Sequence, residues 1–423
     1  MSKAKQCIAF LFIAILLLDI YLFSFRINII IQLSFIAFLY FSSGIKLVPV
    51  SFIRLLLPLF AVLLIGFIGS MLHKYTLGDI IKDLLHIIKP IAGITIGYFV
   101  FRIIDDYRIF IKIIIVTGLV TALIHLGSIF LFTNFLGSDI SAIRGKYFLD
   151  NFLEIFAFIM LVFSPKEFEM PLFEKKVYNK VILAVLTVSI LLYFSRSMFV
   201  VIIIMALSSY GFTRINGKSL KIIGVLLITV FLFYGYLFSI KLNRESKGIE
   251  GFMYKIKNAP SEIFNASIDR ENHQDLWDHW RGYEAKRAFA LMHDNPSSYI
   301  FGAGHGSLVN LKFVAPLGDG DGMKYISSLH NGYVFIFYKT GVLGLFFLLT
   351  FLLRLYMFLY RKQVSPTHKF VLNVISTIGI FYLFSTVIIT GIYIPKDSVI
   401  LILGGLLFFE RKMRMVAPIN EAI

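Results

Sequence analysis

The chain has 423 residues, 58% of them hydrophobic, and carries 41 Lys and Arg against 25 Asp and Glu, a formal charge of +16. That apolar share excludes an ordinary soluble globular protein. The basic excess would suit a nucleic acid partner, but it sits in short connections between apolar runs, where it acts as a membrane topology signal.

Apolar runs close to the ~20 residues that a hydrocarbon core demands of a helix recur along the chain. They fall at about 7–25, 27–43, 50–72, 84–101, 109–132, 147–164, 181–195, 197–213, 221–240, 333–360, 370–393 and 398–409. The first run carries Asp19 and lacks a small-residue cleavage site, so an uncleaved anchor is expected. The predicted fold is an all-α polytopic membrane protein of about 12 transmembrane helices with one large, partly helical extracytoplasmic loop.

Connections rich in Lys and Arg alternate with poorer ones. The rich set holds Lys3 and Lys5, Lys46, Arg102 with Arg108 and Lys112, Lys166 through Lys180, Arg214 with Lys218 and Lys221, Arg361 with Lys362 and Lys369, and Arg411 with Lys412 and Arg414. The other set holds Arg26, Lys74, Arg144 with Lys146, Arg196 and Lys396. The positive-inside rule then puts both termini in the cytoplasm and residues 241–330 outside. Three regions follow: helices one to nine in 1–240, the loop in 241–330, and the last three helices with a tail in 331–423. The one cysteine, Cys7, lies in the first run, so no disulfide is expected outside.

Residues 241–330 concentrate the polar chemistry. They carry eleven Lys or Arg against eleven Asp or Glu, both tryptophans (Trp277, Trp280) and five of the nine histidines. From His273 to Asp294 the pattern predicts a helix, with Leu276, Trp280 and Tyr283 on one face and Asn295-Pro296 as the stop. Gly302, Gly304 and Gly306 then predict a tight turn, since no strand precedes them as a dinucleotide fingerprint requires. Asp319-Gly320-Asp321 follows in a glycine-flanked loop, where a flexible turn is favoured over a metal site.

Several residues are candidates for chemistry. Arg196 lies between two apolar runs, placed to grip a phosphate with two parallel hydrogen bonds; position alone equally admits an arginine snorkelling from a hairpin tip. Arg281 reads by itself as a solvated or ion-paired helix arginine, with Glu284 one turn on. His330 stands where the chain re-enters the membrane, as a general base or as a histidine capping the next helix. Lys82, His86 and Lys89, at i, i+4 and i+7, predict a basic stripe for an anionic headgroup or an interfacial anchor. Asp150 and Glu154 share a face near the outer end of the sixth run and are expected to line a cavity.

Together, Ser195-Arg196-Ser197, Arg281 on a helix of a long loop, His330-Asn331-Gly332-Tyr333 and Lys339-Thr340-Gly341-Val342-Leu343-Gly344 resemble the O-antigen polymerase and O-antigen ligase superfamily of bacterial envelope proteins. The resemblance covers residues 190–350 by motif and the remainder by hydropathy. It implies a C-type glycosyltransferase of the inner membrane acting from its outer face on a glycan carried by undecaprenyl pyrophosphate. Arg196 and Arg281 would then meet the charge of the leaving pyrophosphate, and His330 would take the acceptor's proton. Asn331, Tyr333, Glu284, Arg287, Lys82, His86 and Lys89 would bind substrate. No cofactor, metal or nucleic acid is implied; the partners are the lipid-linked donor, the acceptor glycan and membrane lipid, and a chain-length regulator protein is admitted. The Gly302–Gly306 turn and His-Asn-Gly-Tyr resemble polymerases more than ligases. A transporter or flippase is the competing class, but repeat symmetry and midplane charges are its marks, and here the polar residues gather in one asymmetric loop.

Overall fold

The computed structural model describes residues 2–42, 48–132, 151–164, 172–173, 175–243, 246, 249–264, 268, 276, 278–316 and 322–416. Helices dominate, and each of the twelve apolar runs overlaps one among the described residues. They are α1 (Lys3–Tyr21), α2 (Phe25–Ser42), α3 (Val50–Met71), α4 (Leu77–Ile104), α5 (Tyr107–Phe132), α6 (Phe152–Phe163), α7 (Lys176–Leu192), α8 (Arg196–Ser209) and α9 (Gly217–Ser239). The polar segment adds α10 (Ile249–Phe264), α11 (Trp280–Asp294) and the single turn α12 (Ser298–Phe301). After it come α13 (Gly332–Tyr356), α14 (Pro366–Ile388) and α15 (Val399–Val416). Eight of these helices are long and apolar enough to cross a membrane, and the chain is a polytopic membrane protein.

α4 is the most enclosed of those eight, with 78% of its most apolar window buried. Its partner α15 approaches so closely that a Cβ on Gly97 would lie 2.0 Å from the Leu401 carbonyl oxygen. Where no water drives helices together, such small-residue contacts let backbones pack by dispersion.

The polar segment is tied into the bundle by its glycine turn. Gly302, Gly304 and Gly306 all have positive φ (78°, 86° and 87°). At Gly304 a side chain is excluded twice, by that conformation and by the backbone N of Ser70, 2.4 Å from where a Cβ would sit. α13 is broken at Gly341, and the carbonyls of Tyr338 and Lys339 just before the break accept from the N–H groups of Ala303 (2.7 Å) and Gly304 (3.0 Å). His305 enters between helices: its N–H donates to the Gly66 carbonyl (3.0 Å), its Nε2 pairs with the Leu63 carbonyl (3.0 Å), and its own carbonyl accepts from Ser70 Oγ (2.8 Å). Burial pulls the His305 imidazole down to about 4, so it is neutral packing rather than a charged group. Beside it Lys339 Nζ lies 2.6 Å from Asp83 Oδ2 and also reaches the Ser307 carbonyl, while Asp83 accepts from the Gly306 N–H (2.7 Å).

The segment also contains an antiparallel hairpin the sequence pattern did not predict, β1 (Val309–Ala315) with β2 (Met323–Ile326). Its register runs Val309 to Ile326 and Asn310 to Tyr325, with an irregularity before Ala315. Lys312 sits there at φ 64°. Phe313 from β1 packs on Trp280 and Tyr283 (ring centroids 6.4 and 5.8 Å apart), and the Tyr283 hydroxyl donates to the Leu311 carbonyl (2.5 Å). The helix face read from Leu276, Trp280 and Tyr283 is indeed the buried one. Asp150, His273, Trp277, Asp319 and Asp321 lie outside the described residues.

Candidate active site

Arg196 is positioned from below by a buried polar cluster. Glu154 accepts hydrogen bonds from Ser189 (2.6 Å), Tyr193 (3.0 Å) and Asn151 (3.2 Å), which fixes the end of α7. The chain then turns sharply, with Phe194 at φ 44°, and Ser195 caps α8 by accepting from the Met198 N–H (3.4 Å). Arg196 is therefore the first residue of α8, and its direction is set by a turn held on both sides. Glu154 does face a polar interior, but one filled by protein partners.

Arg196 and Arg281, 85 positions apart in the chain, meet on one carboxylate. The Arg196 guanidinium binds Glu262 of α10 with two parallel bonds, Nη1 to Oε1 and Nη2 to Oε2, each 3.1 Å. Arg281 Nη1 reaches the same Oε2 at 3.0 Å. Arg196 also donates to the Lys255 carbonyl. Arg281 Nε is buried without a hydrogen-bond partner among the described residues, a donor left over for something else. The pairing read from sequence for Arg281 is thus corrected: its carboxylate is Glu262 across the fold, not Glu284 one turn away.

These groups line one side of a cavity of about 590 Å³. Its other walls are mostly aromatic and aliphatic, from Phe152, Phe199, Phe233, Phe252, Phe384 and Ile388 among others, with Lys396 on the α14–α15 connection. An elongated apolar chain fits such walls, and its charged end fits the arginines. Lys396 has no carboxylate partner among the described residues; its ammonium lies 5.7 Å from the Phe23 ring centroid.

Lys89 explains how that connection is held, and it corrects the basic stripe. Lys82 and His86 are half-buried, His86 with its ring centroid 4.1 Å from that of Phe25, and Lys89 is fully buried. Its ammonium pairs with Asp19 (3.3 Å) and donates to the carbonyls of Ile394 (3.1 Å) and Asp397 (3.4 Å). Asp19 is held in turn by Asn28 (2.9 Å) and Gln32 (2.8 Å), and Asp397 by Tyr382 (2.6 Å). A buried ammonium needs these partners, so its place is inside the bundle and not among headgroups. The consequence is that residues on either side of Lys396 are anchored.

His330 is bound to the same helix as Arg281. Glu284, three residues after Arg281 on α11 and buried, places its carboxylate 3.0 and 3.1 Å from His330 Nδ1 and accepts from the His330 N–H (3.0 Å). This pairing makes Nδ1 the donor and leaves Nε2 as a proton acceptor. The imidazole is 51% exposed, reachable by a substrate. The capping alternative goes elsewhere: Asn331 is the cap of α13, its Oδ1 accepting from the N–H groups of Tyr333 (3.0 Å) and Val334 (3.2 Å). The Tyr333 hydroxyl donates to the Leu383 carbonyl (2.9 Å) and Arg287 Nε to the Asn310 carbonyl (2.9 Å). So Asn331, Tyr333 and Arg287 hold the frame, and Glu284 orients the histidine. Glu262 and Lys396 are the site residues that sequence reasoning missed. The Ile394-Pro395-Lys396-Asp397 break between two apolar runs was the one local signal for Lys396; Glu262 offered none.

Residues 181–349 match the family model described as O-antigen ligase. No curated protein matches the chain. The matched stretch holds Arg196, Glu262, Arg281, Glu284 and His330, every group of the arginine pair and the histidine dyad. Over residues 181–349 the match supports a likeness to the O-antigen polymerase and ligase superfamily.

Proposed function

We propose that the chain is a polymerase that joins undecaprenyl-pyrophosphate-linked repeat units at the outer face of the bacterial inner membrane, with both termini cytoplasmic and residues 241–330 periplasmic. One observation carries this reading: two guanidiniums converge at one side of an apolar cavity, and the helix that supplies one of them also holds a histidine with a free Nε2.

The acceptor sugar hydroxyl gives its proton to His330 Nε2 as its oxygen attacks the anomeric carbon from the face opposite the phosphate. The bond from that carbon to the phosphate oxygen breaks, undecaprenyl pyrophosphate departs, and the anomeric configuration inverts. Pyrophosphate leaves readily, so the demand falls on cations that meet its growing charge. Glu262 offsets one of the two guanidinium charges, and Lys396 supplies a further one at the same cavity. The polyprenyl chain lies along the aromatic and aliphatic walls. The acceptor glycan approaches from the exposed side of His330. A chain-length regulator would act on the product without touching this chemistry.

The family match fits a second reading equally, in which the acceptor is the lipid A core and the enzyme is a ligase. Deleting the gene and analysing lipopolysaccharide together with the carrier-linked glycans separates the two. Single repeat units on the core without a ladder are the expected result. Long chains stranded on undecaprenyl pyrophosphate establish the ligase, and unaltered glycans refute both.

A further inference from the structure

The end of the bundle remote from this cavity carries a second built site. Arg54 near the start of α3, Arg354 at the end of α13, Arg361 just beyond it, and Arg411 and Arg414 on α15 all line one concavity of about 320 Å³. From Arg54 to Ser70, which holds the glycine turn, is sixteen residues of α3, about 24 Å. α13 and α15 likewise start at the cavity end, with His330 and Lys396 just ahead of them, and finish at the arginines.

A topology signal needs basic residues near a membrane edge, but it does not need them on one surface. Here five guanidiniums, from three helices and the segment after α13, share a pocket with a single carboxylate, Glu410. Glu410 is already engaged by Arg361 (2.7 Å) and approached by Arg414 Nε (3.7 Å). Arg354 and Arg411 are oriented by neutral acceptors, the Arg54 carbonyl (3.1 Å) and Ser51 Oγ (2.9 Å), which leave their charge unbalanced. The Arg54 guanidinium has no partner among the described residues. So strong a positive excess in a partly enclosed site calls for an oxyanion.

We propose that this pocket binds the phosphate of an anionic phospholipid headgroup. The apolar part of the wall decides between lipid and soluble phosphate. Leu55 and the exposed Met357 stand beside the arginines at the edge of the bundle, where acyl chains would continue from a headgroup. Occupancy would tie α3, α13 and α15 together at one end, the same helices that frame the glycine turn and the Lys396 connection at the other.

The test is a titration of the purified protein in detergent with short-chain phosphatidylglycerol, short-chain phosphatidylcholine or inorganic phosphate. The proteins compared are the natural chain, Arg54→Gln, and Arg54→Gln combined with Arg414→Gln. Each arginine is expected to contribute about 5-fold in affinity for the anionic lipid. The double variant should therefore bind phosphatidylglycerol about 25-fold more weakly, with its weak affinity for phosphatidylcholine unaltered. Because the readout is the ratio between two lipids for each protein, a general loss of stability cancels, and the single variant guards against failure of the double one to fold. Equal ratios in all three proteins overturn the proposal. Inorganic phosphate bound as tightly as phosphatidylglycerol overturns the lipid assignment in favour of a soluble phosphate.

Discussion

Replacing His330 with alanine is expected to lower turnover of a lipid-linked glycan about 10²- to 10⁴-fold, the usual worth of a positioned proton acceptor. The loss should fall on turnover rather than on donor affinity, because in the proposed reaction the imidazole meets the acceptor and other groups meet the donor's charge. The stability of the protein should hardly move, since the side chain is half exposed and its main partner is one carboxylate. Glu284→Gln is the informative companion. The amide can still accept from the His330 N–H, but it no longer favours the imidazolium that forms when the proton is taken. A fall in turnover with unchanged donor affinity supports the dyad. Glu284→Ala would instead strand the buried His330 N–H and cost about 1–3 kcal/mol of stability, which confuses the result. Steady-state kinetics in proteoliposomes with varied donor and acceptor, beside thermal unfolding, makes the distinction; full activity of His330→Ala would exclude it as the base.

Arg281→Ala should lower turnover about 10²- to 10³-fold, as loss of one donor to a developing oxyanion does elsewhere. Its guanidinium carries an unsatisfied buried donor at the cavity among the described residues, and its removal leaves Glu262 still doubly bonded to Arg196. The fold around the site should therefore persist, and the defect should be chemical. Arg281→Lys keeps the charge but not the forked geometry, so it should recover only part of the activity. Complete rescue by lysine would mean that charge alone matters; no loss with alanine would remove Arg281 from the mechanism.

The membrane architecture was legible because hydropathy is local: each predicted run meets a helix among the described residues, and the burial of Leu276, Trp280 and Tyr283 follows from their spacing. The same is true of the glycine turn, whose conformation is written in its residue types. What was not legible is long-range pairing of ionisable groups. Lys89 has the spacing of a surface stripe with Lys82 and His86, yet Asp19, 70 positions away, draws it inside. Glu262 sits in no motif and acquires meaning only from arginines on two other helices. His330-Asn331-Gly332-Tyr333 looked like one functional unit, but only the histidine is free for substrate; its neighbours cap α13 and pin it to α14. The β1–β2 hairpin escaped because two short strands leave too little alternation to stand out beside a loop.

In the proposed reaction the cavity between α8, α10 and α11 holds a lipid diphosphate by its arginines. The most direct measurement is binding of a long-chain polyprenyl diphosphate, and of the matching monophosphate, to purified protein in neutral nanodiscs, for the natural chain, Arg196→Ala and Arg281→Ala. Tighter binding of the diphosphate is expected, with a loss of about 10-fold or more in each variant, the worth of a charge-assisted hydrogen bond. Equal binding of the two lipids by the natural chain, or variants that bind as it does, would mean that these arginines do not hold the diphosphate.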